Sequence, residues 1–166
     1  MTANATQLDP ITVEILWTRL ISCVDEAALA LHRTSFSTVV RESHDYTCMV
    51  LDPNGRAIAQ ATRSVPSFIG TLPMSVQAFL KKYPGPTLKK GDVIISNDPW
   101  IGTGHLPDLT LAAPLFYNDV LVGFAGAIAH MPDIGGRRRA PDNRDIFEEG
   151  LQIPILKLYE AGEPNE

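Results

Sequence analysis

Residues 105–133 read HLPDLTLAAPLFYNDVLVGFAGAIAHMPD. One His-x-Pro-Asp unit opens this stretch at His105 and Asp108, and a second closes it at His130 and Asp133. Between them, apolar runs at 109–116 and 120–129 flank a short polar turn, which predicts a β-hairpin. In an antiparallel hairpin the start of the first strand lies beside the end of the second. The sequence therefore predicts that the two His-x-Pro-Asp units meet in space.

These units offer the donor atoms of a metal site. We predict that His105, Asp108 and His130 are the metal ligands, because two imidazoles and one carboxylate leave positions open for water and substrate. Asp133 is interpreted as either a fourth ligand or an outer carboxylate that orients a histidine or moves a proton, and Asp98 is a candidate for that second role. Zinc, manganese and iron all suit this donor set. The alternative is a set of ordinary loop residues, in which Asp caps a turn and Pro ends a strand.

The rest of the chain predicts an α+β fold. Helically spaced apolar residues follow Asp9-Pro10, so we expect an N-terminal helix with one buried face that ends between residues 32 and 35. Asp52-Pro53-Asn54-Gly55 predicts a hairpin of strands 46–51 and 56–61. A second helix at 73–83 and a strand at 93–96 follow. We expect a single domain, 1–166, in which two β-hairpins and a mixed sheet carry the metal-binding loops.

The C-terminal part of the sequence is less regular. The apolar run at 151–156 predicts a strand with no obvious partner left in the chain, and the tail from residue 160 contains no predicted closing element. Such an unpaired edge favours pairing with something outside the chain.

Composition limits the class of protein. The 166 residues are 45% hydrophobic and 20% charged, with a net charge of −5, which is typical of a globular protein and argues against nucleic acid as a partner. Since the longest apolar run falls short of the ~18 residues that span a bilayer, we expect no membrane association. The polar first residues predict no secretory signal. Cys23 and Cys48 lie in apolar surroundings, so we expect two buried free thiols in a cytoplasmic protein.

Other polar groups have two interpretations each. The run Arg137-Arg138-Arg139 is either an anion-binding loop or, by preference, a solvated basic loop. Cys48 is either a nucleophile near His44 or, by preference, a small core residue in an alternating strand. Phosphate-binding, dinucleotide-binding and nucleophile-elbow motifs are absent from the sequence. We therefore do not expect this chain to bind ATP by itself.

Four segments together resemble one protein family. NDPWIGTGHLPD at 97–108 resembles the Asn-Asp-Pro-Tyr-x-Gly-Gly-x-His-x-x-Asp signature of the hydantoinase B/oxoprolinase family, and HMPDIGG at 130–136 resembles its His-x-Asp-Ile-Gly-Gly region. RESHDYTC at 41–48 and EEGLQIP at 148–154 extend the match in the family's order. The resemblance therefore spans nearly the whole chain.

The resemblance implies a function. The family includes subunits of ATP-dependent N-methylhydantoinases, 5-oxoprolinases, and acetone and acetophenone carboxylases. It implies a metal-dependent subunit of an ATP-dependent cyclic amide (lactam) hydrolase, which acts on a small cyclic amide together with a hydantoinase A-like partner that uses ATP. A carboxylase subunit with a ketone substrate, or a non-catalytic assembly module, is the alternative. By motif position, the family's metal ligands correspond to His105, Asp108 and His130.

The sequence also departs from the family. Members usually run to several hundred residues, so we expect the chain to correspond to the N-terminal portion of such a subunit, either active alone or dependent on the rest of it. Gly102-Thr103-Gly104 replaces the usual Gly-Gly-Thr order, and Arg137-Arg138-Arg139 stands where relatives often have Pro-Gly-Ser.

Overall fold

A computed structural model describes residues 8–137 and 141–166 of the chain. It consists of a seven-stranded antiparallel sheet with one long helix on each face, so the predicted α+β class is confirmed. The helices are α1 (Pro10–Thr34), α2 (Thr38–Ser43) and α3 (Phe68–Lys82). Two short 3₁₀ turns lie at Gly85–Thr87 and Ile146–Glu149.

Most neighbouring strands of the sheet are consecutive in sequence, and two neighbour pairs, β1–β5 and β3–β6, are not. Its strands are β1 (Tyr46–Leu51), β2 (Ala57–Gln60), β3 (Val93–Ser96), β4 (Asp108–Tyr117), β5 (Val120–His130), β6 (Leu156–Glu160) and β7 (Glu163–Pro164). Their order is β2-β1-β5-β4-β3-β6-β7, and every pairing is antiparallel. The expected mixed sheet is therefore wrong, because each neighbour pair runs in opposite directions whether a short turn or a long connection joins it.

Both predicted hairpins form, with β1 paired to β2 and β4 paired to β5. The β4–β5 hairpin turns at Asn118 and Asp119, which both adopt positive φ (48° and 62°). Positive φ at both central residues is the geometry of a type I′ turn, one of the two turn types that two-residue hairpins favour. This turn, together with the register shift between Leu115 and Phe116, sets the register on which the candidate site depends.

The C-terminal strand prediction is wrong in position. The strand covers Leu156–Glu160 and pairs with β3, and β7 then closes the sheet edge. Residues 151–155 are an extended segment without regular ladder partners. The apolar composition of residues 151–156 favoured the earlier position, but the hydrogen bonds of residues 151–153 go instead to the loops around the site, as described below.

Helix α1 begins and ends where predicted. The Asp9 carboxylate accepts hydrogen bonds from the backbone N–H groups of Ile11 and Thr12, and the N–H of Ser35 bonds the Leu31 carbonyl at the other end. The expected single buried face is only partly correct, since Val24 and Ala28 are buried but Ile11 is 71% exposed. Spacing defines an apolar face, but it cannot tell how much of that face the sheet reaches.

Helix α3 begins five residues before the predicted start and contains Pro73 inside it. Proline is favoured at the first helical position, whereas Pro73 lies in the interior of α3. Burial of Phe68 and Leu72 against the sheet extends the helix toward its N-terminus.

Two apolar clusters lie on opposite faces of the sheet. Alternate residues of β1 divide between them: Tyr46 and Cys48 face α1, whereas Met49 and Leu51 face α3. Cys48 is buried, and desolvation raises the pKa of its thiol to about 11, which agrees with a core role rather than a nucleophilic one. Cys23 is exposed, so the expectation that it is buried is wrong.

Within the described residues, no helix is both long enough and apolar enough to cross a bilayer.

Candidate metal centre

Strand register brings the two His-x-Pro-Asp units together. Asp108, the first residue of β4, is the direct cross-strand partner of His130, the last residue of β5. On the other side of β5, the His130 backbone N–H donates to the Asp45 carbonyl, just before β1 begins. The start of β1, the start of β4 and the end of β5 thus lie side by side at one end of the strands, on the sheet face that α3 covers.

His105, Asp108 and His130 converge around the Asp108 carboxylate. His105 Nε2 lies 2.9 Å from Asp108 Oδ2, and His130 Nδ1 lies 2.9 Å from Asp108 Oδ1. The two imidazole rings are 5.2 Å apart between centroids. One ligand atom from each residue lies within 4.8 Å of the others, and this is the one such group found among the described residues.

The central carboxylate is buried and charged. Asp108 is 3% exposed. Burial by itself would raise the pKa of its carboxyl, but the hydrogen bonds from His105 and His130 outweigh burial and hold that pKa well below its usual range. Asp108 therefore stays ionised throughout the physiological pH range, as a metal-binding carboxylate must.

The loop that carries His105 is held at three points. The Asn97 side-chain amide donates to the Leu106 carbonyl (2.7 Å), and the Leu106 N–H donates to Glu149 Oε2 (2.8 Å). The Met131 N–H donates to the Pro107 carbonyl (2.8 Å), which joins the two His-x-Pro-Asp units directly. These bonds fix the backbone on either side of the imidazole.

Residues 146–155, which we call the strap, contact both the loop that carries His105 and the loop that follows His130. Asn97 organises it: Asn97 Nδ2 also donates to the Leu151 carbonyl (2.8 Å), and the Ile153 N–H donates to Asn97 Oδ1 (2.5 Å). On the other side the Leu151 N–H donates to the Ile134 carbonyl (3.0 Å).

The Gly135-Gly136 pair lets this strap approach. A Cβ on Gly136 would lie 2.1 Å from the carbonyl carbon of Glu149. Gly135, at φ 86°, forms an isolated β-bridge with Gly150. The close backbone contact, rather than turn formation alone, therefore explains this glycine pair.

The two carboxylates predicted to act in catalysis lie outside the three-residue group. Asp98 Oδ1 accepts from the Trp100 N–H (3.0 Å), and Asp133 Oδ1 accepts from the Gly135 N–H (2.8 Å). Both bonds are short-range turn contacts. Asp133 is exposed at the rim of a cavity that His130 also lines. Their catalytic roles remain predictions.

Two other carboxylates approach the site more closely than the sequence indicated. Asp45 Oδ2 lies 3.7 Å from His130 Nδ1. Glu149 lines the cavities on both sides of the histidines. The spacing of residues in the sequence contained no signal for either Asp45 or Glu149. Similarity of 41–48 and 148–154 to the family was the available signal for both.

Only the first residue of the run Arg137-Arg138-Arg139 lies within the described residues. Arg137 pairs with Asp142 (2.8 Å) and Glu148 (3.4 Å). These ion pairs fit the preferred interpretation of a solvated basic loop. Arg138 and Arg139 lie outside the described residues.

Two cavities of about 440 Å³ flank the histidines. The first is polar and lies at the N-terminal end of α3; its lining includes Ser67, Thr71, Thr103, His105 and Asp108. The second is bounded by Phe36, Pro107, His130 and Asp133. Each volume is in the range of small-molecule sites.

The donor set suits a divalent metal ion. Two imidazole nitrogens and a carboxylate oxygen are the ligands that zinc, manganese and ferrous iron accept in catalytic sites. The same nitrogens now face the Asp108 oxygens, so binding would replace hydrogen bonds with coordination and make affinity depend on pH.

Comparison with known proteins agrees with this geometry. The sequence matches the hydantoinase B/oxoprolinase family over residues 9–166. It is 34% identical over 165 residues to a putative D-/L-hydantoinase B-type subunit from Pseudomonas sp. strain NS671, covering 96% of this chain and 28% of that protein. It is 33% identical over 160 residues to a 5-oxoprolinase from Dictyostelium discoideum, covering 95% of this chain and 12% of that one.

A solved structure shares the fold. The crystal structure of the ATP-dependent caprolactamase from Pseudomonas jessenii superposes with a TM-score of 0.82 at 31% identity, covering 95% of this chain and 28% of that chain. The chain thus spans about a quarter of the bacterial relatives named here and about an eighth of the 5-oxoprolinase. The match over nearly all of its residues shows that the chain belongs to the hydantoinase B/oxoprolinase family.

Proposed function

We propose that this chain is the metal-binding part of a subunit in an ATP-dependent cyclic amide hydrolase. The observation that carries the proposal is the convergence of His105, Asp108 and His130 on one buried carboxylate, between two cavities. The relatives named as a hydantoinase subunit and an ATP-dependent caprolactamase support the reaction class. The two cysteines are free, which is compatible with the cytoplasmic location we propose.

The three residues would hold one divalent ion. Bound there, it would polarise a carbonyl oxygen or lower the pKa of a water molecule. Asp108 contributes a permanent negative charge, because its pKa is held low.

The surrounding carboxylates would position groups and move protons. Asp133 borders the cavity beside His130, where it can accept a proton from a small substrate or water. Asp98 caps the turn that leads to the His105 loop and would act through loop position. Asp45, whose carboxylate lies 3.7 Å from His130 Nδ1, would add negative charge beside that ring.

ATP would be used by a separate hydantoinase A-like subunit. The sequence contains no phosphate-binding glycine motif that we can identify. The Pseudomonas relative, named as one subunit of a hydantoinase, supports a multi-subunit assembly.

Metal analysis tests the ligand set. The chain has four histidines, so His32→Gln provides a matched control that removes an imidazole far from the three ligands in the sequence. We expect one zinc, manganese or iron per wild-type chain and per His32→Gln chain, and none in His105→Ala or His130→Ala, with all variants folded by circular dichroism. Full metal content in both alanine variants would refute the ligand assignment.

A turnover assay tests the reaction class. The chain, supplied with the rest of a family subunit and a hydantoinase A-like partner, should release ADP only when a lactam such as hydantoin or 5-oxoproline is added. Asp133→Asn should keep the metal and reduce turnover, whereas Glu163→Gln should leave both unchanged. ATP use that requires a ketone and bicarbonate would instead indicate a carboxylase subunit. A stable complex without turnover would indicate an assembly module.

A further inference from the structure

The sheet face that α1 occupies is only partly covered. Helix α1 packs over β1 and β2 at one side of the sheet. Beside it, a groove of about 400 Å³ runs over β5, β4 and β3, and its lining side chains are apolar. Its floor consists of Val93, Leu111, Ala113, Leu115, Ala125 and Ala127, all of which remain partly or fully exposed.

The distribution of apolar residues along the strands indicates that this face of the sheet is buried in the complete protein. Along β4, Thr110 and Ala112 are buried on the α3 side, and the intervening Leu111 and Ala113 are apolar rather than polar. An antiparallel sheet with one solvated face alternates apolar and polar residues, whereas apolar residues on both faces are typical of a sheet covered on both sides. The groove therefore lacks a covering layer.

We propose that the groove is covered by an apolar helix from the remaining part of a hydantoinase B-type chain. The matched region is 28% of both the Pseudomonas hydantoinase subunit and the caprolactamase chain, so most of such a polypeptide lies outside it. The small side chains of Ala113, Ala125 and Ala127 allow a helix to lie close to the sheet beside α1, at the usual interhelical spacing of about 8–10 Å.

The chemistry of the groove favours a permanent contact, as this occupant would make, over a transient one. Interfaces between proteins that also exist apart are about as polar as the rest of the surface, and permanent contacts resemble a domain core. Here no charged, amide or hydroxyl side chain lines the groove among the described residues. The inference goes beyond the proposed function, because it requires only the family relationship and no metal or ATP.

Co-expression tests the proposal. The chain would be produced together with a tagged polypeptide that comprises the Pseudomonas hydantoinase B-type subunit without its matched region. We expect a 1:1 complex on size exclusion. Leu111→Lys should weaken it at least tenfold, and Tyr117→Lys, a matched change at the exposed hairpin tip (69% exposed), should not. Thermal melts of both isolated variants should stay close to wild type, since a partly exposed lysine can extend its ammonium into water.

Three results would overturn the proposal. The first is absence of a complex, or a complex equally strong with Leu111→Lys. The second is a dimer of the isolated chain that Leu111→Lys dissolves, which would identify a second copy as the occupant. The third is a Leu111-dependent complex with a hydantoinase A-like subunit in place of the tagged polypeptide. Metal content, measured in the same samples, reports on the proposed function separately.

Discussion

Asn97→Ala should destabilise the fold and loosen the candidate metal site together. Asn97 is 4% exposed, and its side chain makes hydrogen bonds with the Leu106 carbonyl, the Leu151 carbonyl and the Ile153 N–H. Each hydrogen bond contributes about 1 kcal/mol net, and a buried group left without a partner costs about 1–3 kcal/mol. Because water can reach part of the loosened strap, we expect a loss of about 3 kcal/mol in the free energy of unfolding, at the lower end of that sum.

The effect should be visible in two measurements. For a chain of this length, 1 kcal/mol corresponds to about 2–4 °C, so the melting temperature should fall by about 6–12 °C. Metal affinity, measured by competition with a chromophoric chelator, should fall about tenfold, as when the supporting contacts of a ligand are lost. The link is structural: Leu106 is the neighbour of His105, and Asn97 holds its carbonyl.

Asn165→Ala is the matched control. Asn165 makes one side-chain hydrogen bond, to the Lys157 carbonyl at the β6–β7 edge, so we expect a loss of about 1 kcal/mol and unchanged metal affinity. A melting temperature for Asn97→Ala within about 2 °C of wild type, which corresponds to about 1 kcal/mol or less, would refute the organising role of Asn97. Reduced stability with unchanged metal affinity would refute the link to His105.

Two further changes probe the strap and the far edge of the sheet. Gly136→Ala should cost about 1–3 kcal/mol, because the new Cβ would press on the Glu149 backbone at 2.1 Å, and it should lower metal content, measured by mass spectrometry. Asp92→Asn should cost about 1.5–3 kcal/mol in urea unfolding, because it removes the carboxylate charge 2.9 Å from buried Lys157 while Glu160 stays as a partner at 3.3 Å.

The Asp92–Lys157 pair also predicts a pH dependence. Burial tends to raise the pKa of Asp92, but the N–H groups of Ala161 and Lys89 and the Lys157 ammonium outweigh it and lower that pKa. Burial tends to lower the pKa of Lys157, but the bonds to Asp92 and Glu160 raise it. The pair's contribution is therefore complete between about pH 4 and about pH 10. It is lost as the pH falls through the folded-state pKa of Asp92 or rises through that of Lys157.

Controls separate these effects from general disruption. Gly70→Ala adds a Cβ to α3 with no atom within 4 Å, so it should stabilise the helix by up to about 1 kcal/mol. Lys89→Gln removes only an exposed ion pair to Glu160 at 3.9 Å and should cost less than about 1 kcal/mol. If a control variant loses as much free energy of unfolding as its test variant, the prediction is contradicted. The pH prediction is contradicted if the free energy of unfolding varies with pH in the same way in the wild type and in Asp92→Asn.

Local sequence patterns predicted much of this fold. Asp9 and Pro10 marked the start of α1, and alternation with turn residues predicted both hairpins. The hairpin also predicted that Asp108 and His130 lie side by side, because antiparallel pairing follows from a tight turn. Each of these inferences depends on residues close together in the chain or joined by one turn.

Tertiary structure alone decided the rest. The strap at 146–155 meets Asn97 and Leu106 from more than 40 residues away, and no periodicity encodes such a contact. The same holds for Asp45 beside His130, for the displaced last strand, and for the exposed start of α1. A pattern of apolar residues predicts which side chains avoid water. Which helix, strand or loop packs against them is determined only when the whole sheet assembles.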